Sequence, residues 1–261
     1  MKTNPIGIFD SGVGGTSIWK EIHTLMPNED TLYLADSANS PYGERPEDEI
    51  VRLSIKNTEF LLEQGCKIIV VACNTATTNA IDYLRKNYEV PFIGIEPAIK
   101  PAALQSKSKT VGVLATKGTL SSSLFHSTSE NHSNGIKVIE QEGRGLVELI
   151  EAGKIDSVEM HSLLKKLLKP MLDEGIDHLV LGCTHYPYLI PLLEKMLPEH
   201  VKIIDSGEAV ARQTKSILEQ NDLWNDITDK SSSQFYTNGN LTVLENFLKD
   251  SAITQVSYLE F

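Results

Sequence analysis

The chain is poor in positive charge: 24 Lys and Arg face 35 Asp and Glu across 261 residues, a formal net charge of −11. That balance argues against nucleic acid or a membrane surface as the main partner, yet backbone amides can still hold a small anion. Cysteine is nearly absent. Cys66, Cys73 and Cys183 form no CxxC pair and no Cys/His spacing, so no structural zinc or other metal site is expected. Long apolar runs are missing too, and none approaches the roughly 20 residues that cross a bilayer. Residues 1–5 pass directly into the strand-like Ile6-Gly7-Ile8-Phe9 without an apolar leader, so the chain is expected to be cytoplasmic with reduced thiols. The glycine-rich turn at 10–17 lacks both the Gly-Lys-Ser/Thr of a Walker loop and the GxGxxG of a dinucleotide fold. No linker is long enough to set apart a disordered region.

What is present is an alternation of short apolar runs and amphipathic stretches, which predicts an α/β fold with mostly parallel sheet. Strands are expected at 6–9, 31–35, 67–72, 92–95, 110–115, 136–141, 178–182 and 202–204. Helices are expected at 14–25, 46–64, 74–87, 120–131, 145–152, 157–174, 187–196 and 207–219. The layout repeats. Ile6-Gly7-Ile8-Phe9-Asp10-Ser11-Gly12 opens one half and Val111-Gly112-Val113-Leu114-Ala115-Thr116-Lys117-Gly118-Thr119 opens the other. Each opening strand is followed by one that ends in cysteine. Two pseudo-symmetric lobes are expected, each a mostly parallel sheet flanked by helices, with the active site in the cleft between them. Residues 1–96 with 208–261 would form the first lobe and 97–207 the second. Phe235-Tyr236-Thr237 is expected to add an edge strand to the first lobe.

Two turns carry the chemistry. Ile69-Val70-Val71-Ala72-Cys73-Asn74-Thr75 and Leu179-Val180-Leu181-Gly182-Cys183-Thr184-His185 each run from an apolar strand, through a small residue, to cysteine and then to hydroxyl and amide residues. A buried parallel strand delivering a thiol to its carboxyl end reads this way, and a helix start beside the thiol would favour the thiolate. A lone cysteine is more often a small buried hydrophobe, and Cys66, with no polar followers, is read so. Two thiols delivered alike suit moving a proton from one face of a carbon to the other. His185 could polarise Cys183 or relay its proton; Asp10 and Glu151 are further ionisable groups able to adjust the thiols. The turn Asp10-Ser11-Gly12-Val13-Gly14-Gly15 offers close backbone approach and a helix N-terminus for an anion, although a plain turn capped by Asp10 would also explain it. Ser40-Pro41-Tyr42-Gly43 reads as a turn that could present N–H groups and a phenol.

In order along the chain, Phe9-Asp10-Ser11-Gly12-Val13-Gly14-Gly15, Pro41-Tyr42-Gly43, Ala72-Cys73-Asn74-Thr75-Ala76, Gly94-Ile95-Glu96-Pro97, Ala115-Thr116-Lys117-Gly118-Thr119, Leu181-Gly182-Cys183-Thr184-His185-Tyr186-Pro187 and Asp205-Ser206-Gly207 resemble the glutamate racemases of the aspartate/glutamate racemase family. The resemblance covers essentially the whole chain. It implies a cofactor-independent isomerase that interconverts L- and D-glutamate and supplies D-glutamate for peptidoglycan, with no metal and a homodimer as the common assembly. It further implies that Cys73 acts on D-glutamate with help from Asp10, and Cys183 on L-glutamate with help from His185 and Glu151. The substrate contacts it implies are Asp10, Ser11, Tyr42, Gly43, Asn74, Thr75, Thr119, Thr184 and His185. Residues 142–151 lack the Pro-rich, cysteine-containing segment that many relatives carry there, so Glu148 is an alternative to Glu151. Other readings are a racemase of aspartate or another acidic amino acid, a Cys183/His185 hydrolase in which Cys73 has no task, and a non-catalytic two-lobed protein closing on a small anion.

Overall fold

The computed structural model describes residues 2–132, 135–226, 231–249 and 255–261. The strands in chain order are β1 (Ile6–Asp10), β2 (Thr31–Ala35), β3 (Ile68–Val71), β4 (Phe92–Gly94), β5 (Thr110–Ala115), β6 (Lys137–Glu142), β7 (His178–Gly182), β8 (Lys202–Ile204), β9 (Ser233–Thr237) and β10 (Gln255–Tyr258). They form two sheets, with orders β10-β9-β2-β1-β3-β4 and β6-β5-β7-β8. Every pairing is parallel. The four strands β2-β1-β3-β4 and the four strands β6-β5-β7-β8 follow the same winding, so the internal repeat seen in the sequence is a repeat of topology.

The helices are α1 (Thr16–Leu25), α2 (Glu47–Glu63), α3 (Asn74–Asn87), α4 (Ile99–Gln105), α5 (Lys117–Leu120), α6 (Ser123–His132), α7 (Leu146–Glu151), α8 (Val158–Asp173), α9 (Ile190–Met196), α10 (Gly207–Gln220) and α11 (Leu241–Leu248). Among the described residues, no helix is long and apolar enough to cross a membrane. The central strands are apolar without alternation, as in the wholly buried β3, Ile68–Val71, because helices cover both faces of a parallel sheet. Alternate residues of β1 divide accordingly: Ile6 and Ile8 join one core with Ile18, Trp19 and Ile22 of α1, and Phe9 joins the other with Leu53 and Leu61 of α2. Trp19 meets Phe235 edge-on, ring centroids 4.8 Å apart, which fastens β9 beneath α1.

Register decides what reaches the cleft. Phe9 stands beside Val71, so Asp10 and Cys73 leave adjacent strands at the same end of the first sheet. Ala115 stands beside Gly182, which places Thr116 and Cys183 equivalently in the second. The chain crosses between sheets after β4 and again after β8, and Ser206 Oγ donates to the carbonyl of Glu96 at 2.5 Å, tying the two crossings together.

Three expectations need correction. Phe235-Tyr236-Thr237 does join the first sheet, but β10 pairs outside β9, so β9 is internal. The helix expected at 187–196 opens as a 3-10 turn, Tyr186–Leu189, before α9. The one expected at 120–131 is broken into α5 and α6, because Ser122 caps the new helix through Phe125 N.

Candidate active site

Cys73 is the N-cap of α3, and its sulfur accepts from the Ala76 N–H at 3.4 Å. Its Sγ lies 3.7 Å from Ser11 Oγ. The helix terminus does not lower this thiol as expected. Burial and the charge of Asp10 push its pKa well above the ordinary value, outweighing the Ala76 N–H and the Ser11 hydroxyl. Asp10, wholly buried, accepts from Gly15 N at 2.7 Å and from Thr184 Oγ1 of the second lobe at 3.4 Å. Burial raises its pKa, partly offset by His185 and the Gly15 N–H.

Cys183 is supported differently. No α-helix begins at it; four residues of 3-10 turn follow His185. The helix-start argument therefore fails here, and an imidazole stands in its place. His185 Nδ1 is 3.8 Å from Cys183 Sγ, and its Nε2 is 2.7 Å from Glu151 Oε1. That same oxygen accepts the Val13 N–H at 3.0 Å across the cleft. Burial alone would hold Glu151 up, but the His185 hydrogen bond and charge and the Val13 N–H bring it below the usual carboxylate range. Burial also works against the His185 imidazolium, yet Cys183 and Glu151 outweigh it and raise its pKa well above the ordinary value. Nε2 therefore donates to Glu151, and Nδ1 faces the sulfur. Glu148, the alternative carboxylate, is exposed on α7 and lines only the outer crevice.

One small cavity joins the two thiols. Its wall is Ser11, Pro41, Tyr42, Gly43, Cys73, Asn74, Thr75, Thr116, Val147, Cys183, Thr184 and His185, and its free space of about 10 Å³ has room for about one water. Among the described residues no Lys or Arg lines it, so an anion here would be held by hydroxyl and amide donors. Asn74 Oδ1 is buried without a hydrogen-bond partner among the described residues, which leaves an acceptor open toward a donor such as an ammonium group. Among the described residues no cluster of three or more His, Cys, Asp or Glu could hold a metal ion.

The residues singled out in sequence do not all reach this wall. Ser11, Gly43, Asn74, Thr75, Thr184 and His185 do. Tyr42 reaches it with its ring, but its hydroxyl turns away, donating to Asp36 Oδ2 at 2.5 Å and accepting from Asn57 at 3.0 Å. Thr119 sits one layer back, 3.3 Å from Thr75 and 3.1 Å from Thr116. Asp10 and Glu151 lie behind Thr184 and His185 respectively. Cys66 is buried against Gly7 in the same core cluster as Ile69, and it does not line the cavity.

Sequence reasoning misses two residues. Thr116 lines the cavity and bonds Thr75 Oγ1 at 2.8 Å; it comes after β5 as Ser11 comes after β1, so the internal repeat itself marks it. Asp36, buried after β2, gathers Tyr42, Asn39 and Asn238, and its position at the carboxyl end of a central parallel strand is the available signal.

Comparison with known proteins places these features in context. Residues 9–214 match the family described as Asp/Glu/Hydantoin racemase. A protein of Herpetosiphon aurantiacus named glutamate racemase is 46% identical over 239 residues, covering 92% of this chain and 94% of its own. Among solved structures, glutamate racemase isoform RacE1 from Bacillus anthracis superposes with a TM-score of 0.91 at 31% identity, covering 100% of this chain and 99% of that one. The glutamate racemase of Francisella tularensis, solved in complex with D-glutamate, gives 0.87 at 30% identity over 100% and 98%.

Proposed function

The chain belongs to the Asp/Glu/Hydantoin racemase family, and from that premise we propose that it interconverts L- and D-glutamate by passing the α-proton between Cys73 and Cys183. The activity is an isomerisation, and its D-glutamate product would feed peptidoglycan synthesis.

The observation that carries the reading is the single cavity shared by both thiols. Each thiol ends a strand at an equivalent place in one of two facing sheets, and each has its own proton-handling neighbours. A thiolate on one side removes the α-hydrogen while a thiol on the other returns a proton to the opposite face of the carbon. By resemblance, Cys183 serves L-glutamate and Cys73 serves D-glutamate. His185, with Glu151 behind it, takes up and returns the proton of Cys183. Asp10 plays the corresponding part for Cys73 through the shared environment of Ser11.

The raised pKa of Cys73 has a consequence for the order of events. In the empty cleft it is a thiol. The ammonium group of an arriving amino acid supplies the positive charge that an isolated buried thiolate lacks. Asn74 Oδ1 is the acceptor placed to hold that ammonium. The substrate carboxylates fall to Ser11, Thr75, Thr116 and Thr184 and to the Gly43 backbone. Donors fixed in a closed, low-dielectric cleft stabilise the negative charge that develops as the α-proton leaves.

The Cys183–His185 contact also favours a second reading, a thiol hydrolase. The first test is circular-dichroism polarimetry on L- and D-glutamate in D2O, with proton NMR on the same samples and aspartate run alongside. Loss of rotation from both enantiomers with deuterium entering the α-carbon is the expected result. A folded protein that changes neither glutamate enantiomer would overturn the reading. Wild-type turnover in Cys73→Ser would point instead to the hydrolase.

A further inference from the structure

Tyr188 lies behind Cys183 where the two lobes meet, and the two-thiol reaction gives it no task. It belongs to the 3-10 turn Tyr186–Leu189 of the second lobe. Its hydroxyl is 2.5 Å from Oγ1 of Thr16, the first residue of α1 in the first lobe. Its ring meets Phe247 of α11 edge-on at 4.6 Å between centroids. Thr16 Oγ1 also donates to the Val13 carbonyl at 2.6 Å. A threonine hydroxyl carries one proton, so Tyr188 is the donor to Thr16. Burial pushes the Tyr188 phenol well above its ordinary pKa, so it keeps that proton at neutral pH.

The row of bonds thus has a fixed direction, and it ends at the catalytic imidazole. Tyr188 donates to Thr16, and Thr16 donates to the Val13 carbonyl. The Val13 N–H donates to the Glu151 oxygen that also holds His185 Nε2. Val13 is therefore fastened through both its polar groups. One residue past Thr16, Ser17 Oγ donates to the Thr184 carbonyl at 3.0 Å, pinning the same turn beside Cys183. Cys73 is not a link in this row: its sulfur meets the Ser11 hydroxyl and the Ala76 N–H of its own lobe, and the turn reaches it only indirectly, through the Gly15 N–H held by Asp10.

We propose that Tyr188, acting through Thr16 and Val13, is a positioning residue for the His185–Cys183 half of the site more than for the Cys73 half. The proposal rests on the two-thiol reading, because it requires the two halves to serve opposite enantiomers.

The experiment compares primary isotope effects on kcat/KM with α-deuterated L- and D-glutamate in the intact enzyme. Tyr188→Phe removes one O–H and keeps the ring against Phe247. Thr16→Val interrupts the same row, and Thr16→Ser restores it. Slower transfer at Cys183 makes removal of deuterium from L-glutamate more nearly rate-limiting, so the isotope effect rises. From D-glutamate, Cys183 delivers the second proton; slower delivery lets the first step reverse, so the isotope effect falls. The expected result is a rate loss of about five- to tenfold, with the two isotope effects moving in opposite directions and Thr16→Ser close to wild type. Isotope effects that stay put or move together would overturn the proposal, leaving Tyr188 as an inter-lobe contact whose loss shows only in thermal stability. His185→Asn is the control. If it too fails to separate the two isotope effects, the two-thiol assignment falls and takes this proposal with it.

Discussion

Nδ1 of His185 faces the sulfur of Cys183 at 3.8 Å while Nε2 of the same ring is held by Glu151 at 2.7 Å. The ring thus has one fixed proton and one exchangeable one. Both shifts in this group bear on stability. The His185 pKa is raised in the fold, so its contribution is complete below the ordinary histidine range and is lost as pH rises through the raised value. The Glu151 pKa is lowered, so its contribution is present above the ordinary carboxylate range and is lost as pH falls through the lowered value. The two are complete together from about pH 5 to 6.

Glu151→Gln therefore exposes the pair. The variant is expected to lose about 3 kcal/mol where the contributions overlap, the scale for a buried charge deprived of its partner. Thermal midpoints of both proteins from pH 3 to pH 9 would check this. The gap should be widest in the overlap and close on the acid side. A gap independent of pH would mean that the carboxylate and imidazole are not ionised together.

Either thiol alone should leave racemisation incomplete. Cys73→Ser and Cys183→Ser replace buried sulfur by a group of similar size, so the fold is expected to survive, as far-UV circular dichroism would report. Turnover of both enantiomers should fall by at least about 10³, within the range for losing a positioned acid or base. The remaining thiol can still act on its own enantiomer, so slow α-deuterium exchange should persist from D-glutamate in Cys183→Ser and from L-glutamate in Cys73→Ser. Wild-type rates in either variant would end the two-base scheme.

The sequence is most legible where a short strand dictates the placement of the residues at its carboxyl end. The apolar runs before Cys73 and Cys183 fit buried parallel strands, and their register delivers both thiols to the cleft. It is less legible where a side chain chooses between two directions. The motif Pro41-Tyr42-Gly43 marks a turn at the cavity, yet whether the phenol faces substrate or Asp36 depends on Asn57 and Asp36, which come from different elements. The glycine-rich turn suggests room for a ligand. At Gly12 and Gly14 that room is filled by Glu151 and His185 of the other lobe, and no local pattern announces a contact between residues so distant in sequence. Cys183 and the 3-10 turn after it show the same limit, since Tyr186-Pro187-Tyr188 is compatible with either helical form.

Thr116 tests the internal repeat. It makes one corner of a hydroxyl triangle, 2.8 Å from Thr75 and 3.1 Å from Thr119, and it lines the cavity. Each hydroxyl has one proton, so a bound carboxylate draws on the whole triangle. Thr116→Val keeps the volume and deletes one corner. Glutamate KM is expected to rise by about tenfold, with kcat nearly unchanged, because the group holds the substrate in ground and transition states alike. Steady-state kinetics in both directions would show it. An equal loss confined to kcat would place Thr116 in the proton transfer instead.

Gly14 and Gly12 separate rigid from compliant neighbours. A Cβ on Gly14 would stand 2.3 Å from Nδ1 of His185, and one on Gly12 would stand 2.1 Å from Oε1 of Glu151. Neither position has the positive φ that alanine resists, so the effect of each substitution is a collision alone. The imidazole is buried and held at both nitrogens, so Gly14→Ala must displace the ring or the turn. The carboxylate ends a flexible side chain that is partly open to solvent, so Gly12→Ala can be relieved by rotation, at the expense of the His185 and Val13 hydrogen bonds to Oε1. The ordering expected in kcat is a loss of about 10² for Gly14→Ala, the scale for a catalytic group misplaced by an ångström, and a smaller loss of about tenfold for Gly12→Ala. Gly153 supplies the contrast: its φ is +69° and nothing lies within 4 Å of its added Cβ. Gly153→Ala should cost about 1 kcal/mol of stability through backbone strain and leave kcat alone. Equal kcat losses at Gly12 and Gly14 would show that the glycines serve the turn itself rather than the approach of His185.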